Sequence, residues 1–139
     1  GWSKLKHNKN LIIHDNKPYR DICDLLQNSY INLSCVPTFQ KSGHERIFTS
    51  MLNGAVNVCN ENIYMKNKFQ NGVHYLGYNT PDEAANYISL LLDNPIKAKE
   101  ISSAAKEEAA LNHTWLNRAK DILASVELFY EKKGLSQMV

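Results

Sequence analysis

The sequence predicts an α/β fold, a Rossmann-like three-layer domain in which helices flank a small parallel sheet. Three observations carry this prediction. Short apolar segments alternate with amphipathic helical segments, no hairpin-type turn joins the strands, and the length of 139 residues fits one domain. Strands that alternate with helices are typical of parallel sheets covered on both faces. We therefore expect residues 1–139 to form a single domain.

Four segments have the composition of short strands. Residues 10–14 form an apolar run between polar residues, and residues 31–36 alternate between polar and apolar side chains. Residues 55–59 and 73–78 complete the set. The expected sheet therefore has four strands, and its exposed edges favour dimerisation.

Six segments have helical patterns, and local signals mark several of their ends. Pro18 suits the first turn of one helix, and Gly54 fits the left-handed C-cap position of another. Thr80 and Glu83 have the spacing of a capping box. The predicted helices span residues 19–30, 44–52, part of 61–72, 81–92, 96–111 and 114 onward.

The last helix starts at the sequence His113-Thr114-Trp115. Thr114 is expected to cap this helix and Trp115 to anchor it. His113 is interpreted as a structural residue, although an imidazole that titrates near neutrality also suits catalysis. The apolar stripe of the helix consists of Trp115, Ala119, Ile122, Val126 and Phe129.

Charge and cysteine usage exclude several classes of function. The net charge is +2 and no block of five Lys or Arg occurs, so no nucleic-acid binding is expected. Cys23, Cys35 and Cys59 have no C-x-x-C spacing and are predicted to be reduced, buried thiols of a cytoplasmic protein. No apolar run of about 20 residues occurs, so no membrane span is expected. Peripheral membrane association is left open.

Three stretches, in this order, carry a resemblance to a known family. They are PYRDICDLL with SYINL (residues 18–26 and 29–33), GHERIFTSMLNGA (43–55), and LLDNP followed by HTWLNR (91–95 and 113–118). Together they resemble the C-terminal donor-binding domain of GT-B glycosyltransferases, in particular the spore-maturation-protein-like enzymes of glycosyl transferases group 1. The resemblance covers roughly residues 10–123.

The resemblance implies a bacterial hexosyltransferase of polysaccharide biosynthesis, which moves a sugar from a nucleotide to a glycan, lipid or protein. The chain would be the donor-binding part of a two-domain enzyme. A missing N-terminal domain would bind the acceptor, so the fragment alone would be inactive. Gly1-Trp2 resembles the Gly-Trp that ends an early strand of the same domain.

Two other functions were considered for such a fold. A degenerate Rossmann-like module that binds nucleotide sugars weakly, or binds only partners, is the alternative to the enzyme. A receiver-like signalling domain is excluded, because it needs acidic residues at strand ends where this chain has His14, Val36 and Cys59.

The predicted donor site centres on the start of the helix at residues 44–52. The backbone N–H groups and dipole of a helix N-terminus suit the diphosphate of a nucleotide sugar. Gly43 lets the backbone approach the ligand closely, and Arg46 has the planar fork that binds phosphate oxygens. His44, at the same helix start, is a further candidate. A solvated or salt-bridged Arg46 is the structural alternative.

Thr49 stands where the resembled family has a Glu that holds the ribose hydroxyls. A Thr hydroxyl makes hydrogen bonds but cannot clamp two hydroxyls as a carboxylate does. Lys41 stands where related enzymes often have a second Glu, and Glu45 lies one helical turn from Thr49. Glu45 is therefore the carboxylate that would compensate for the Glu missing at position 49. Thr49 and Lys41 favour the non-catalytic alternative.

Three more candidates lie near the first predicted strand. His14 and Asn16 follow it, and parallel sheets bind ligands beyond the carboxyl ends of their strands. The resemblance implies that this turn faces the base, and an ordinary turn is the alternative. Tyr19 is interpreted as a core residue or as support for a stacked ring. The resemblance implies a nucleotide-diphosphate sugar as the substrate. Because the sequence has no Asp-x-Asp pair and no metal-like spacing of histidines, we expect no metal or other cofactor.

Overall fold

The structure, a computed structural model, describes residues 8–38 and 40–133. Gly1 and Trp2, which entered the resemblance, lie outside the described residues. The strands are β1 (Ile31–Ser34), β2 (Val56–Asn60) and β3 (Leu76–Tyr78), and the helices are α1 (Tyr19–Gln27), α2 (Glu45–Asn53), α3 (Ile63–Lys68), α4 (Pro81–Asp93), α5 (Pro95–Asn112) and α6 (Trp115–Lys132). All six predicted helices are confirmed, and three of the four predicted strands.

The three strands form one parallel sheet in the order β1-β2-β3. Side chains along a strand alternate between the two faces of a sheet. Neighbouring residues of β2 belong to two different buried clusters, so these clusters lie on opposite faces. Val56 and Val58 pack with side chains of α4 and of the first part of α5. Cys59 packs with side chains of α2, α3 and the second part of α5. Helices thus cover both faces, and the predicted Rossmann-like α/β fold is confirmed.

The predicted strand at residues 10–14 is wrong. Residues 11–18 have no regular structure, and Ile12 is 77% exposed. The N–H groups of Asn10 and Leu11 each donate to an oxygen of Asn8 at 3.0 Å. A local turn therefore uses the donors that a strand would offer to a neighbouring strand.

Two other strands are shorter than predicted, because other hydrogen bonds replace the strand ladder at their ends. The Val36 N–H donates to Oδ1 of Asn60 at 2.6 Å, just beyond the end of β1. The N–H groups of residues 73 and 74 donate to the Gln70 carbonyl oxygen in a turn that precedes β3. Each strand therefore keeps only the residues that pair in register.

Helix α2 begins and ends at residues with suitable cap chemistry. The Nδ1 atom of His44 accepts a hydrogen bond from the Arg46 N–H at 3.3 Å. Gly54 ends the helix in the left-handed conformation, with φ at 89°, as predicted. The helix therefore starts directly after Gly43 and His44.

A buried polar network ties α2 to the sheet. Asn57 on β2 is fully buried, and its Nδ2 donates to the Ile47 carbonyl oxygen at 3.1 Å. Its Oδ1 accepts from Oγ of Ser50 at 2.6 Å and from Nδ2 of Asn32 at 2.8 Å. Because buried polar groups need such partners, the network fixes how α2 lies on the sheet.

Helix α6 begins as predicted but does not bury its apolar stripe. Thr114 and Asn117 form a capping box at its start. None of its residues is buried, and Trp115 is 83% exposed. The prediction that Trp115 anchors the helix is therefore wrong, because no described element packs over that side chain. Neither α6 nor any other described helix is long and apolar enough to cross a membrane.

The three cysteines are free thiols, but they differ in burial. Cys59 is buried, Cys23 is partly buried and Cys35 is exposed, so the prediction of buried thiols is wrong for Cys35. Burial, reinforced by Glu61, raises the pKa of the Cys59 thiol to about 12. Cys59 is therefore an unreactive core residue.

Candidate functional site

A cleft of about 500 Å³ opens beside the start of α2, next to α3 and the junction of α5 with α6. Part of its lining follows β1 and β2, beyond the carboxyl ends of two parallel strands, where α/β folds bind ligands. We call it the α2 cleft. It is lined by Tyr19, Ser42, Gly43, Glu45, Phe48, Thr49, Leu52, Tyr64, His113, Thr114, Trp115 and Arg118.

Helix α2 gives one wall of this cleft, where Glu45 and Thr49 lie one turn apart. The Thr49 hydroxyl donates to the Glu45 carbonyl oxygen at 3.1 Å and lies 3.2 Å from the Tyr19 hydroxyl. Because the single Thr49 proton goes to that carbonyl, the Tyr19 hydroxyl is the donor in the second bond. The Tyr19 oxygen keeps lone pairs that can accept a hydrogen bond from a ligand.

Packing against two aromatic rings requires a glycine at position 43. A Cβ atom at this position would lie 2.8 Å from ring atoms of both Phe48 and Tyr64. These two rings meet edge to face, with centroids 6.2 Å apart. The aromatic rings occupy the space that a side chain would need. The predicted approach of phosphate to Gly43 stays a prediction.

His113 is a buried aromatic residue at the junction of α5 and α6. Its ring packs against Phe48 and Phe69, with centroid distances of 5.4 Å and 4.6 Å. Its Nδ1 lies 3.1 Å from the guanidinium of Arg118, which can only donate, so Nδ1 accepts and the proton resides on Nε2. That nitrogen lies 3.6 Å from Oε1 of Glu108.

The surroundings of His113 keep it neutral. Burial lowers the pKa of its imidazole, Arg118 and Lys68 lower it further, and Glu108 opposes them. The structural interpretation of His113 therefore fits its position. His113 therefore adds no positive charge to that of Arg118.

Arg118 is held at the same junction by three hydrogen bonds. Its Nη2 donates to the Asn112 carbonyl oxygen at 2.8 Å and to His113, and its Nη1 donates to Oδ2 of Asp121 at 3.0 Å. The Arg118 side chain is 39% exposed and the Asp121 side chain 63% exposed. The three bonds therefore fix the plane of the guanidinium, and the side chain stays partly exposed in the lining of the cleft.

The structure brings together four of the eight predicted donor-binding residues. Tyr19, Gly43, Glu45 and Thr49 line the α2 cleft. Tyr19 is 59% exposed, so its interpretation as a core residue is wrong, while its hydroxyl supports Thr49.

The other four predicted residues do not line the α2 cleft. His44 caps α2, and the Arg46 side chain is exposed beside it. His14 lines a separate hollow of about 310 Å³ against α1, and Asn16 is exposed in the same segment. Their predicted roles in donor binding stay predictions.

Several cleft residues were missed as ligand candidates at the level of sequence. Trp115 and Arg118 belong to the HTWLNR stretch that carried the resemblance. The sequence predicts Trp115 as an anchor of the helix and indicates Arg118 only as part of this motif. That stretch was the available signal. Phe48 belongs to the GHERIFTSMLNGA stretch of the same resemblance. Tyr64 has no signal of its own, because only the fold brings α3 beside the start of α2.

Charge in the α2 cleft comes from Glu45 and Arg118, which belong to different helices. Within residues 8–38 and 40–133, no group of three or more His, Cys, Asp or Glu side chains is placed to hold a metal ion. The expectation of a metal-free site stays a prediction.

Comparisons with known proteins agree with the resemblance read from the sequence. The sequence model of a family described as glycosyl transferase-like matches residues 1–124. No curated protein and no solved structure matched the chain in the corresponding searches. Because the matched region spans most of the chain, this protein belongs to the glycosyl transferase-like family.

Proposed function

We propose that this chain binds the nucleotide-sugar donor of a glycosyltransferase, and that the α2 cleft is the donor site. One observation carries the proposal. The start of α1, the start of α2 and the HTWLNR stretch, which are far apart in the sequence, meet in one cleft. All three belong to the stretches that resemble donor-binding domains, and membership of the family alone does not require them to meet.

The chemistry of glycosyl transfer suits this lining. The reaction breaks the bond between the anomeric carbon and the diphosphate, and the nucleoside diphosphate leaves with negative charge that the site must stabilise. Backbone N–H groups at the start of α2 and the guanidinium of Arg118 offer positive potential. The rings of Tyr64 and Trp115 offer faces on which a base or a sugar stacks.

Glu45 and Thr49 share, in this proposal, the role that a single Glu has in the resembled family. They lie on the same wall of the cleft, and the Tyr19 hydroxyl lies 3.2 Å from Oγ1 of Thr49. The Glu45 carboxylate accepts bonds from two hydroxyls, and the Tyr19 oxygen accepts another. Glu45 thereby supplies the carboxylate that is missing at Thr49.

A degenerate binding module without turnover is the second candidate. It is favoured by Thr49 and Lys41, which stand where carboxylates are expected. The two candidates differ in one result, because only the enzyme releases nucleoside diphosphate when donor and acceptor are both supplied to the complete protein. A hexose as the sugar, a glycan, lipid or protein as the acceptor, and dimerisation through exposed sheet edges stay predictions.

Calorimetric titration with UDP-, GDP- and ADP-sugars tests the donor site. We expect saturable heat with one of the three. Glu45→Gln should weaken that binding about 10- to 100-fold, and Thr49→Val about 2- to 10-fold, as expected for lost charged and neutral hydrogen bonds. Ser103→Ala on the exposed side of α5 is the control. A folded protein that gives no heat with any of the three at millimolar concentration would contradict the proposal.

A further inference from the structure

We propose that Arg118, at the junction of α5 and α6, is the cation that contacts the diphosphate of the donor. The inference rests on the proposed donor site, and it replaces the assignment of this role to Arg46. It names a binding residue that the sequence pattern around the start of α2 does not indicate.

The first reason is the position of the charge. Among the described residues that line the α2 cleft, Arg118 is the only Lys or Arg. Arg46 does not line the cleft, although it lies in the first turn of the same helix as Glu45. A residue that stabilises a leaving diphosphate must lie in the lining of the site, as Arg118 does.

The second reason is how the guanidinium is held. Three of its five N–H groups bond to the Asn112 carbonyl oxygen, His113 and Asp121. The Nε–H and the second Nη1 hydrogen donate to no other described residue and are available to a ligand. Asn112 and His113 fix the plane of the fork before any ligand arrives, so little side-chain entropy is lost on binding.

The third reason is that the partner with negative charge is replaceable. Asp121 lies one turn further along α6, and its side chain is 63% exposed. An ion pair with such exposure contributes at most about 1 kcal/mol, because water and salt screen it. A diphosphate, with more charge and more acceptor oxygens, competes with Asp121 for Nη1 without disturbing the bonds on Nη2.

The three arginines of the chain provide a matched set for the test. Arg118→Gln, Arg46→Gln and Arg20→Gln each remove one positive charge, and Arg20 is exposed on α1 and does not line the cleft. The ligands are UDP, GDP, ADP and inorganic pyrophosphate, measured by calorimetry. Pyrophosphate carries the diphosphate without base or sugar. We expect Arg118→Gln to weaken the binding of the nucleotide that binds wild type, and of pyrophosphate, about 10- to 100-fold.

The outcomes separate this inference from the proposed function. Arg46→Gln and Arg20→Gln should change affinity less than about 3-fold, which is below the loss expected for one charged hydrogen bond. Loss of affinity in Arg46→Gln with wild-type affinity in Arg118→Gln would overturn the inference and leave the donor site intact. Absence of binding to wild type would overturn both. Circular dichroism melting establishes that each variant is folded.

A second readout distinguishes ligand contact from a purely structural role of Arg118. The charged groups near the His113 ring are Arg118, Lys68 and Glu108, and Arg118 lowers the pKa of His113. An anion bound to Arg118 offsets that effect, so the nucleotide should raise the pKa of His113 in wild type, as followed by NMR. In Arg118→Gln, at a nucleotide concentration that saturates it, the pKa of His113 should rise less than in wild type. An equal response in both proteins would contradict contact through Arg118.

Discussion

Helices α2 and α6 both line the cleft, but they are held in different ways. Helix α2 buries Ile47, Thr49, Ser50 and Met51, and the Asn57 network ties it to the sheet. Helix α6 buries none of its residues and is held at its start by the Thr114 capping box and by Arg118. The α2 wall of the cleft is therefore held by core packing. The α6 wall is held by polar contacts at the junction of α5 and α6.

This difference predicts how the two walls respond to substitution. Changes in α2 remove buried contacts, so they should alter stability and binding together. Changes on the exposed face of α6 should alter binding alone, because no packed neighbour is lost. The four predictions below test this contrast, from the largest expected effect to the smallest.

Met51→Ala should give the largest loss of stability. Met51 is completely buried on α2, and truncation of such a residue leaves a cavity that costs about 2–5 kcal/mol. Ile122→Ala is the matched change on α6, where the side chain is 63% exposed, and should cost less than about 0.5 kcal/mol. Urea denaturation measures both values. Equal losses would show that α6 packs on the core.

Gly43→Ala should both destabilise the protein and close part of the cleft. The added Cβ atom would lie 2.8 Å from Phe48 and Tyr64, so these rings must move, at a cost of about 1–3 kcal/mol. Ser103→Ala, on the exposed side of α5, is the control. Thermal melting and donor titration provide the two measurements. A Gly43→Ala protein with wild-type stability would refute the packing explanation.

Trp115→Ala should weaken donor binding with little change in stability. Trp115 is 83% exposed at the start of α6, so its loss removes a stacking surface and no core contact. Loss of aromatic stacking costs about 0.5–1.5 kcal/mol, or about 2- to 10-fold in affinity by calorimetry. Trp115→Phe should retain most of the affinity. A large drop in the melting temperature of Trp115→Ala would instead restore the anchor role.

His113→Phe should reduce the pH dependence of stability, the smallest of the four effects. Burial, Arg118 and Lys68 lower the pKa of folded His113 below its usual 6.5. Between that lowered pKa and 6.5 the unfolded chain binds more protons, so the free energy of unfolding falls as the pH drops through this window. Urea denaturation at about pH 7.5 and pH 5 measures the slope. The same slope in wild type and variant would exclude His113 as its source.

The sequence predicted helix ends well where the signal is local. Gly54 and Thr114 cap their helices as expected, because a cap depends on a few neighbouring residues. The strand at residues 10–14 and the buried Trp115 were wrong. Both depend on which element packs alongside, and hydrophobic periodicity does not specify that partner.

For the candidate site, the sequence predicted the wall that a single helix, α2, provides. Glu45 and Thr49 lie on one helix face, so their spacing alone places them together. The sequence assigned the phosphate contact to Arg46 because it is near the helix start. Arg118 comes from a different helix, and only the packing of α5 on α2 brings it to the cleft.

The most direct test of the donor site is NMR mapping with the nucleotide sugar that binds in the calorimetric titration. Backbone amide shifts should change most at residues 42–49, at Tyr64 and at residues 113–118, which surround the α2 cleft. Changes centred on His14 and α1, or on α4, with the cleft residues unaffected, would contradict the assignment of this cleft as the donor site.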